Sequence, residues 1–354
     1  MSSDIIPIRK GEELDLTKIE AFLRSRFHDL PDAPLTAEQF SFGRSNLTYQ
    51  IKIGDWEAVL RRPPLGPVAP RAHDMKREFT ILKELHPHYH QAPKPYALAD
   101  EHVIGSPFIV MERKRGVVLE DKFPEGVEVT KELCRNISES IVDGLVALHA
   151  VDYTKTKLKD ITKPEGFLKR QVEGWINRYE RAKTDDVQEI EQLKKWMMSH
   201  IPVSPEPTVV HYDFKLNNVM FTHELNELIG VFDWEMTTVG DPLADLATSL
   251  TFWIEKNDSP LIKKDENQVP ITSYDGFMTR EEFMEAYSRK SGRDVSNMNF
   301  YLTFAFFKLG VISQQIYYRW KKGQTQDERF KGLNRYVNNL MQYAQETARK
   351  NMYS

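Results

Sequence analysis

A chain of 354 residues, 40% hydrophobic and 28% charged, exceeds one typical domain of roughly 100–200 residues and predicts two lobes with a substantial core. Its 48 basic and 52 acidic side chains leave a net charge of −4, which excludes wholesale disorder and a global basic footprint for nucleic acid. The single cysteine, Cys134, excludes an internal disulfide or a cysteine-built zinc site and fits a reducing, cytoplasmic setting.

The first residues, Met1–Glu13, carry charge where a signal peptide needs an apolar run. Leu14, Ile19, Phe22, Leu23 and Phe27 recur at helical spacing and predict a helix over 13–30, ended by Pro31. From Phe40 the period changes. Tyr49, Ile51 and Ile53 alternate with Gln50 and Lys52, and Gly54-Asp55 turns the chain into Ala58–Arg61, a hairpin. A Pro-rich connector leads to a helix at 73–86 with Met75, Phe79, Leu82 and Leu85 on one face, then to a strand at Phe108–Glu112. These elements make a sheet-rich lobe over 1–115: a helix, an antiparallel sheet and one further helix.

Residues 116–354 read as a larger helical lobe. Leu133–His149 and Gln171–Arg181 are amphipathic helices. Thr208–Val210, Val219–Phe221 and Ile229–Phe232 are short strands between helices. Thr279 and Glu282 form a capping box ahead of a helix that stops at Gly292. The apolar run Phe300–Ile312 is short of the ~20 residues of a membrane span and is broken by Lys308, so a buried core helix is expected and no membrane partner. Its aromatics Phe300, Tyr301, Phe304, Phe306 and Phe307 belong to that core. The fold class is α+β and bilobal.

Three segments carry chemistry. His211-Tyr-Asp213-Phe-Lys215-Leu-Asn-Asn218 follows an apolar strand, and Phe232-Asp233-Trp234 follows another. The hairpin ends in Arg61-Arg62, with Glu78 on the next helix. Phosphoryl transfer asks for a positioned nucleophile, metal ions bridging phosphates, and donors on the phosphate oxygens. Asp213 can accept the proton of an incoming hydroxyl. Asn218 and Asp233 offer the hard oxygen atoms that Mg²⁺ prefers. Lys215 can sit beside the transferring phosphate; Arg61 can reach the others, held by Glu78.

The pattern resembles the aminoglycoside phosphotransferase-like family of small-molecule kinases, a branch of the protein-kinase-like fold, over roughly residues 35–320. Arg61 stands where that family usually has the strand lysine. The resemblance implies a nucleotide loop at Phe42-Gly43-Arg44-Ser45-Asn46. It also implies a hinge in which the backbone of Glu112 and Lys114 reads adenine, with Met111 behind the ring. Gly240-Asp241-Pro242 and Asp245 match the motif after the metal-binding aspartate. Leu60–Gly66 and Ala72–Glu78 are similar to the subgroup related to the kinase-like domain fused to some acyl-CoA dehydrogenases. That similarity implies a hydroxyl on an acyl-CoA-type metabolite.

The expected activity is ATP- and Mg²⁺-dependent phosphorylation of a small-molecule hydroxyl. An aminoglycoside-resistance kinase, for which Glu255, Asp258, Asp265 and Glu266 are candidate acids, is one rival; a nucleotide-binding pseudokinase is another. His211 and Asp245 read as structural hydrogen-bonding residues of the loop. Arg62, Arg71, Lys76 and Arg77 read as a solvated basic face, or alternatively as a landing site for substrate phosphates. His86, His88 and His90 read as an exposed turn rather than a metal site.

Overall fold

The computed structural model describes residues 5–41, 46–66, 73–263 and 269–353. The chain divides into two compact units. The first comprises residues 1–117, 220–223 and 229–237; the second comprises 118–219, 224–228 and 238–354.

The first unit is built on a six-stranded antiparallel sheet: β1 (Ile5–Ile6), β2 (Leu35–Phe40), β3 (Leu47–Ile53), β4 (Trp56–Arg62), β5 (Pro95–Ala99) and β6 (Phe108–Met111), in the order β1-β2-β3-β4-β6-β5. The alternation in β3 puts Tyr49, Ile51 and Ile53 on the core side, and Ile53 pairs with Trp56 across the Gly54-Asp55 turn. That core side packs on Ile19 and Leu23 of α1 (Leu16–Arg26) and on Phe108 and Val110 of β6. β1, β2 and β5 were not among the expected strands. In β5, Pro95 opens the strand at the sheet edge, where the missing N–H costs no ladder bond.

Helix α2 (Met75–Leu85) starts at Asp74, whose side chain accepts from the Arg77 N–H at 3.0 Å. Its buried face differs from the apolar pattern. Glu78 is 2% exposed, whereas Phe79 is only half-buried. The short α3 (Glu101–Ile104) joins β5 to β6.

The second unit carries α4 (Lys131–His149), α5 (Leu158–Ile161), α6 (Phe167–Ala182) and α7 (Ile190–Ser199). Strand β7 (Thr208–Val210) follows. β8 (Val219–Phe221) and β9 (Leu228–Val231) come next in the chain and pair with each other; apart from Val219 and Leu228 they belong to the first unit, while β10 (Thr238–Gly240) of the second unit pairs antiparallel with β7. Helix α8 (Pro242–Thr251) has Asp241 as its cap and proline in its first turn, and every residue of it is buried. The capping box of α9 (Arg280–Ser291) forms as expected, and Gly292 ends it at φ +71°. Helix α10 (Met298–Lys321) is the predicted core helix; it packs against α6, α8 and α11 (Leu333–Lys350). Among the described residues no helix is long and apolar enough to cross a membrane.

Candidate active site

In the second unit, β7 delivers the chain into the loop 211–218, and α8 holds it there. The buried Asp245 carboxylate accepts the N–H of His211 at 2.6 Å and of Tyr212 at 2.8 Å, and meets His149 Nε2 at 3.2 Å. Burial pushes the Asp245 carboxyl up, but the His149 contact and the loop N–H groups outweigh it and hold the pKa below the usual range. Burial pushes His149 down, which favours its neutral form, and the Tyr287 hydroxyl lies 2.7 Å from its Nδ1. Tyr212 is left-handed at φ +68°, a strained setting for a bulky residue. His211 is fully buried and its Nδ1 accepts the Asp213 N–H at 3.2 Å, the structural part expected of it.

This anchored loop presents Asp213. Its Oδ2 accepts from Asn218 Nδ2 at 2.7 Å, and Lys215 Nζ lies 2.8 Å from Oδ1. Asn218 Nδ2 also donates to the Asp213 carbonyl at 2.9 Å, so the amide nitrogen is committed to Asp213 and Oδ1 is the metal-competent atom. Lys215 Nζ lies 4.6 Å from the Phe252 ring centroid. A small cavity of about 10 Å³ beside Lys215 is lined by Ile141, Phe214, Leu216, Phe252 and Trp253.

In the first unit, Arg61 at the end of β4 joins two carboxylates. Its Nε is 3.2 Å from Glu78 Oε1 and its Nη2 is 2.6 Å from Asp233 Oδ1. Burial would lower the guanidinium pKa, but Glu78 and Asp233 raise it overall. Burial pushes Glu78 up to about 6 against the opposing pull of Arg61. Asp233 is left-handed at φ +67°. The buried Trp234 indole donates to the Val231 carbonyl at 2.8 Å and meets the Tyr89 ring edge-on, which fixes the segment after Asp233. Asn46 donates to Glu235 Oε2 at 3.2 Å, and His73 Nδ1 lies 3.4 Å from the same oxygen. No sequence signal singles out Glu235 or His73.

At the hinge, Met111 is buried, and the Glu112 N–H is already given to the Lys94 carbonyl at 2.8 Å. The Glu112 N–H, one of the backbone groups expected to read adenine, is therefore engaged within the fold. Gly43, Arg44 and Ser45 lie outside the described residues, as do Arg71, Asp265 and Glu266.

Among the described residues of the basic set around the connector, Arg62 and Arg77 do not form a solvated face. Arg62 is buried, and Arg77 donates to the Thr237 carbonyl at 2.7 Å; Lys76 is exposed. Long-range backbone acceptors of this kind leave no mark in the sequence. His88 and His90 are exposed, and the described residues hold no cluster of metal-ligating side chains around them.

Two candidate acids of a polycation site are also committed. Arg280 pairs with both oxygens of Asp258 and lies 3.3 Å from Glu255 Oε1.

A sheet-rich unit with an arginine–carboxylate cluster at a strand end, and a helical unit with an anchored Asp–Asn loop, make up the bilobal kinase-like fold. The class of protein this defines is a small-molecule phosphotransferase. The chain belongs to the phosphotransferase enzyme family, whose model matches residues 36–275. It is 33% identical to acyl-CoA dehydrogenase family member 10 of Mus musculus over 90% of this chain and 30% of that protein, so it spans about a third of that relative's length. A solved chain from Ralstonia eutropha JMP134, named for the aminoglycoside phosphotransferases, aligns at TM-score 0.81 and 27% identity, covering 96% of this chain and 99% of that one. A thermostable mutant of aminoglycoside phosphotransferase APH(4)-Ia, in complex with AMP-PNP and hygromycin B, aligns at TM-score 0.58 and 15% identity, covering 95% and 100%.

Proposed function

We propose that this chain transfers the γ-phosphoryl group of ATP to a hydroxyl of a small, acyl-CoA-type metabolite in a reducing, cytoplasmic setting. The observation that carries it is the Asp213 carboxylate, held between Asn218 and Lys215 in a loop that Asp245 fixes from beneath. Asp213 takes the proton of the acceptor hydroxyl as its oxygen bonds to phosphorus, and ADP leaves. Lys215 offsets charge on the transferring phosphoryl group. The oxygens of Asn218 and Asp233 suit Mg²⁺, which when bound supplies charge neutralisation on the phosphates. Met111, Glu112 and Lys114 take adenine. The nucleotide-loop residues Gly43, Arg44, Ser45 and Asn46 are assigned to the phosphates, which Arg61, steadied by Glu78, also serves. The analogue AMP-PNP in APH(4)-Ia supports a nucleotide of this kind.

For the acceptor, the acyl-CoA dehydrogenase name of the Mus musculus relative supports an acyl-CoA-type hydroxyl. Glu255 and Asp258, spent on Arg280, are poor partners for a polycationic drug. A pseudokinase would be expected to lack Asp213, Asn218 or Asp233, and all three are present.

The test is ATP turnover across hydroxyacyl-CoA thioesters and aminoglycosides, with Asp213→Asn as control. Turnover should fall by ~10²–10⁴-fold in the variant while ATP affinity stays nearly intact, because the proton is taken only in the transition state. Survival of turnover within a few-fold would remove Asp213 from catalysis. Efficient phosphorylation of kanamycin alongside indifference to CoA thioesters would overturn the acceptor class and leave the kinase reading standing.

A further inference from the structure

Lys308 lies in the buried stretch of α10, with buried residues at every position from Met298 to Phe307, and is itself 4% exposed. Its Nζ has no hydrogen-bond partner among the described residues. The ammonium sits 3.4 Å from the Tyr212 ring centroid and 5.7 Å from that of Trp175. Asp245 faces it from α8, Asp213 and Lys215 from the loop, Arg178 from α6, and the Tyr212 hydroxyl is buried nearby. Burial outweighs the two carboxylates and pulls the ammonium down to about 7.

An ammonium taken from water without a hydrogen bond is a costly core residue, and a methionine would fill the same space without that cost. What Lys308 gains is the face of Tyr212, a cation–π contact strengthened by its burial. Tyr212 is the residue that needs holding. Its backbone is left-handed, its N–H is taken by Asp245, and its ring packs edge-on against Phe167 at 5.8 Å. Asp213 is the next residue along.

We propose that Lys308 is a positioning residue of the phosphotransfer site: its ammonium clamps the Tyr212 ring and so maintains the left-handed turn from which Asp213 is presented. The role in turnover rests on the kinase reading above; the clamp itself does not. The ammonium is complete below neutral pH and is lost as pH rises through about 7, so the clamp should weaken in that direction.

The experiment compares the unmodified protein with Lys308→Met, using Mg·ATP with water as the acceptor and crystal structures of both. Lys308→Met should melt no lower than the unmodified protein and keep its KM for ATP. Its kcat should fall about tenfold or more, as misplaced catalytic groups do. The unmodified kcat should carry a limb that falls as pH rises through about 7, absent from the variant. In the variant crystals Tyr212 should leave the left-handed region or Asp213 should lose its Asn218 contact. Unchanged Tyr212 and Asp213 geometry overturns the proposal whatever the rates show; so does an unchanged kcat with an unchanged pH profile. If the unmodified protein hydrolyses no ATP, the kinase reading is decided by the acceptor assay above and the crystal comparison alone decides the clamp. Should Lys308→Met fail to fold, crystals of the unmodified protein at acid and alkaline pH carry the test. Identical Tyr212–Asp213 geometry in both would overturn it, and a loosened turn at alkaline pH would uphold it.

Discussion

Arg61 Nη2 stands 2.6 Å from Asp233 Oδ1, so the strand arginine already occupies one oxygen of the carboxylate proposed as a metal ligand. A lysine has one ammonium to place, whereas the guanidinium fork reaches Glu78 and Asp233 together. Arginine and the proposed Mg²⁺ would therefore share one carboxylate.

That sharing sets the outcome for Asp233→Ala. Calorimetry with Mg²⁺ should show the metal-dependent part of ATP affinity gone. Calorimetry with EDTA should show ATP binding at least as tight as in the unmodified protein, because Arg61 is freed. A variant that keeps its Mg²⁺ dependence would remove Asp233 from the metal site.

Glu78 gives the first unit a pH dependence with a definite sign. Its folded pKa is raised to about 6 from 4.5, so the folded chain binds the extra proton. The associated stability is present below about pH 4.5 and is lost as pH rises through about 6; a shift of this size corresponds to about 2 kcal/mol. In urea denaturation, Glu78→Gln should gain on the unmodified protein by about that amount between acid and neutral pH. A constant difference across that range would show that burial does not govern Glu78.

Asp245 and Asp213 should respond oppositely to the same substitution. Asp245→Asn leaves an amide among three donors, two of them backbone N–H groups that cannot turn away, and should cost about 3 kcal/mol or more. The Asp213 side chain is 24% exposed, so Asp213→Asn should barely move the melting temperature. Thermal melts of both variants check this; an Asp245→Asn protein as stable as Asp213→Asn would contradict the anchoring of the loop.

Gly116 leaves no room for a side chain. A Cβ there would lie 2.1 Å from the Phe221 carbonyl, beside the bridge in which Val117 and Phe221 exchange both N–H groups at 2.9 and 2.8 Å. Gly116→Ala should destabilise by about 1–3 kcal/mol or more, read by chemical denaturation, since the clash is with backbone. A neutral effect would mean that this backbone separates readily.

The sequence makes some of this visible and hides the rest for identifiable reasons. The β3–β4 hairpin is legible because Tyr49, Ile51 and Ile53 alternate strictly and Gly54 marks the turn. The α9 boundaries follow from Thr279, Glu282 and Gly292. β2 is obscured because Gln39 points inward and accepts the Arg9 N–H, so the alternation mixes polar with apolar. α11 is not among the expected elements, although Leu333, Val337, Leu340, Met341 and Ala344 share a helical stripe; Asn and Gln between them dilute it. The catalytic-loop candidates are local in sequence and show as a motif. What Arg61, Arg77 and Lys308 touch is set by partners distant along the chain, beyond the reach of spacing.

The first unit is closed by residues 220–223 and 229–237, so the chain crosses between the units four times before that unit is complete. No single cut would release it whole: a fragment ending at Val117 lacks Phe221, the partner of its last residue, and Trp234, which packs on Tyr89. During synthesis the same order imposes a wait. Translation at about 5–20 residues per second needs roughly 6–24 s to supply the stretch from 118 to 237. Through that interval Val117 and Tyr89 have emerged without Phe221 and Trp234, the partners that the later segments bring.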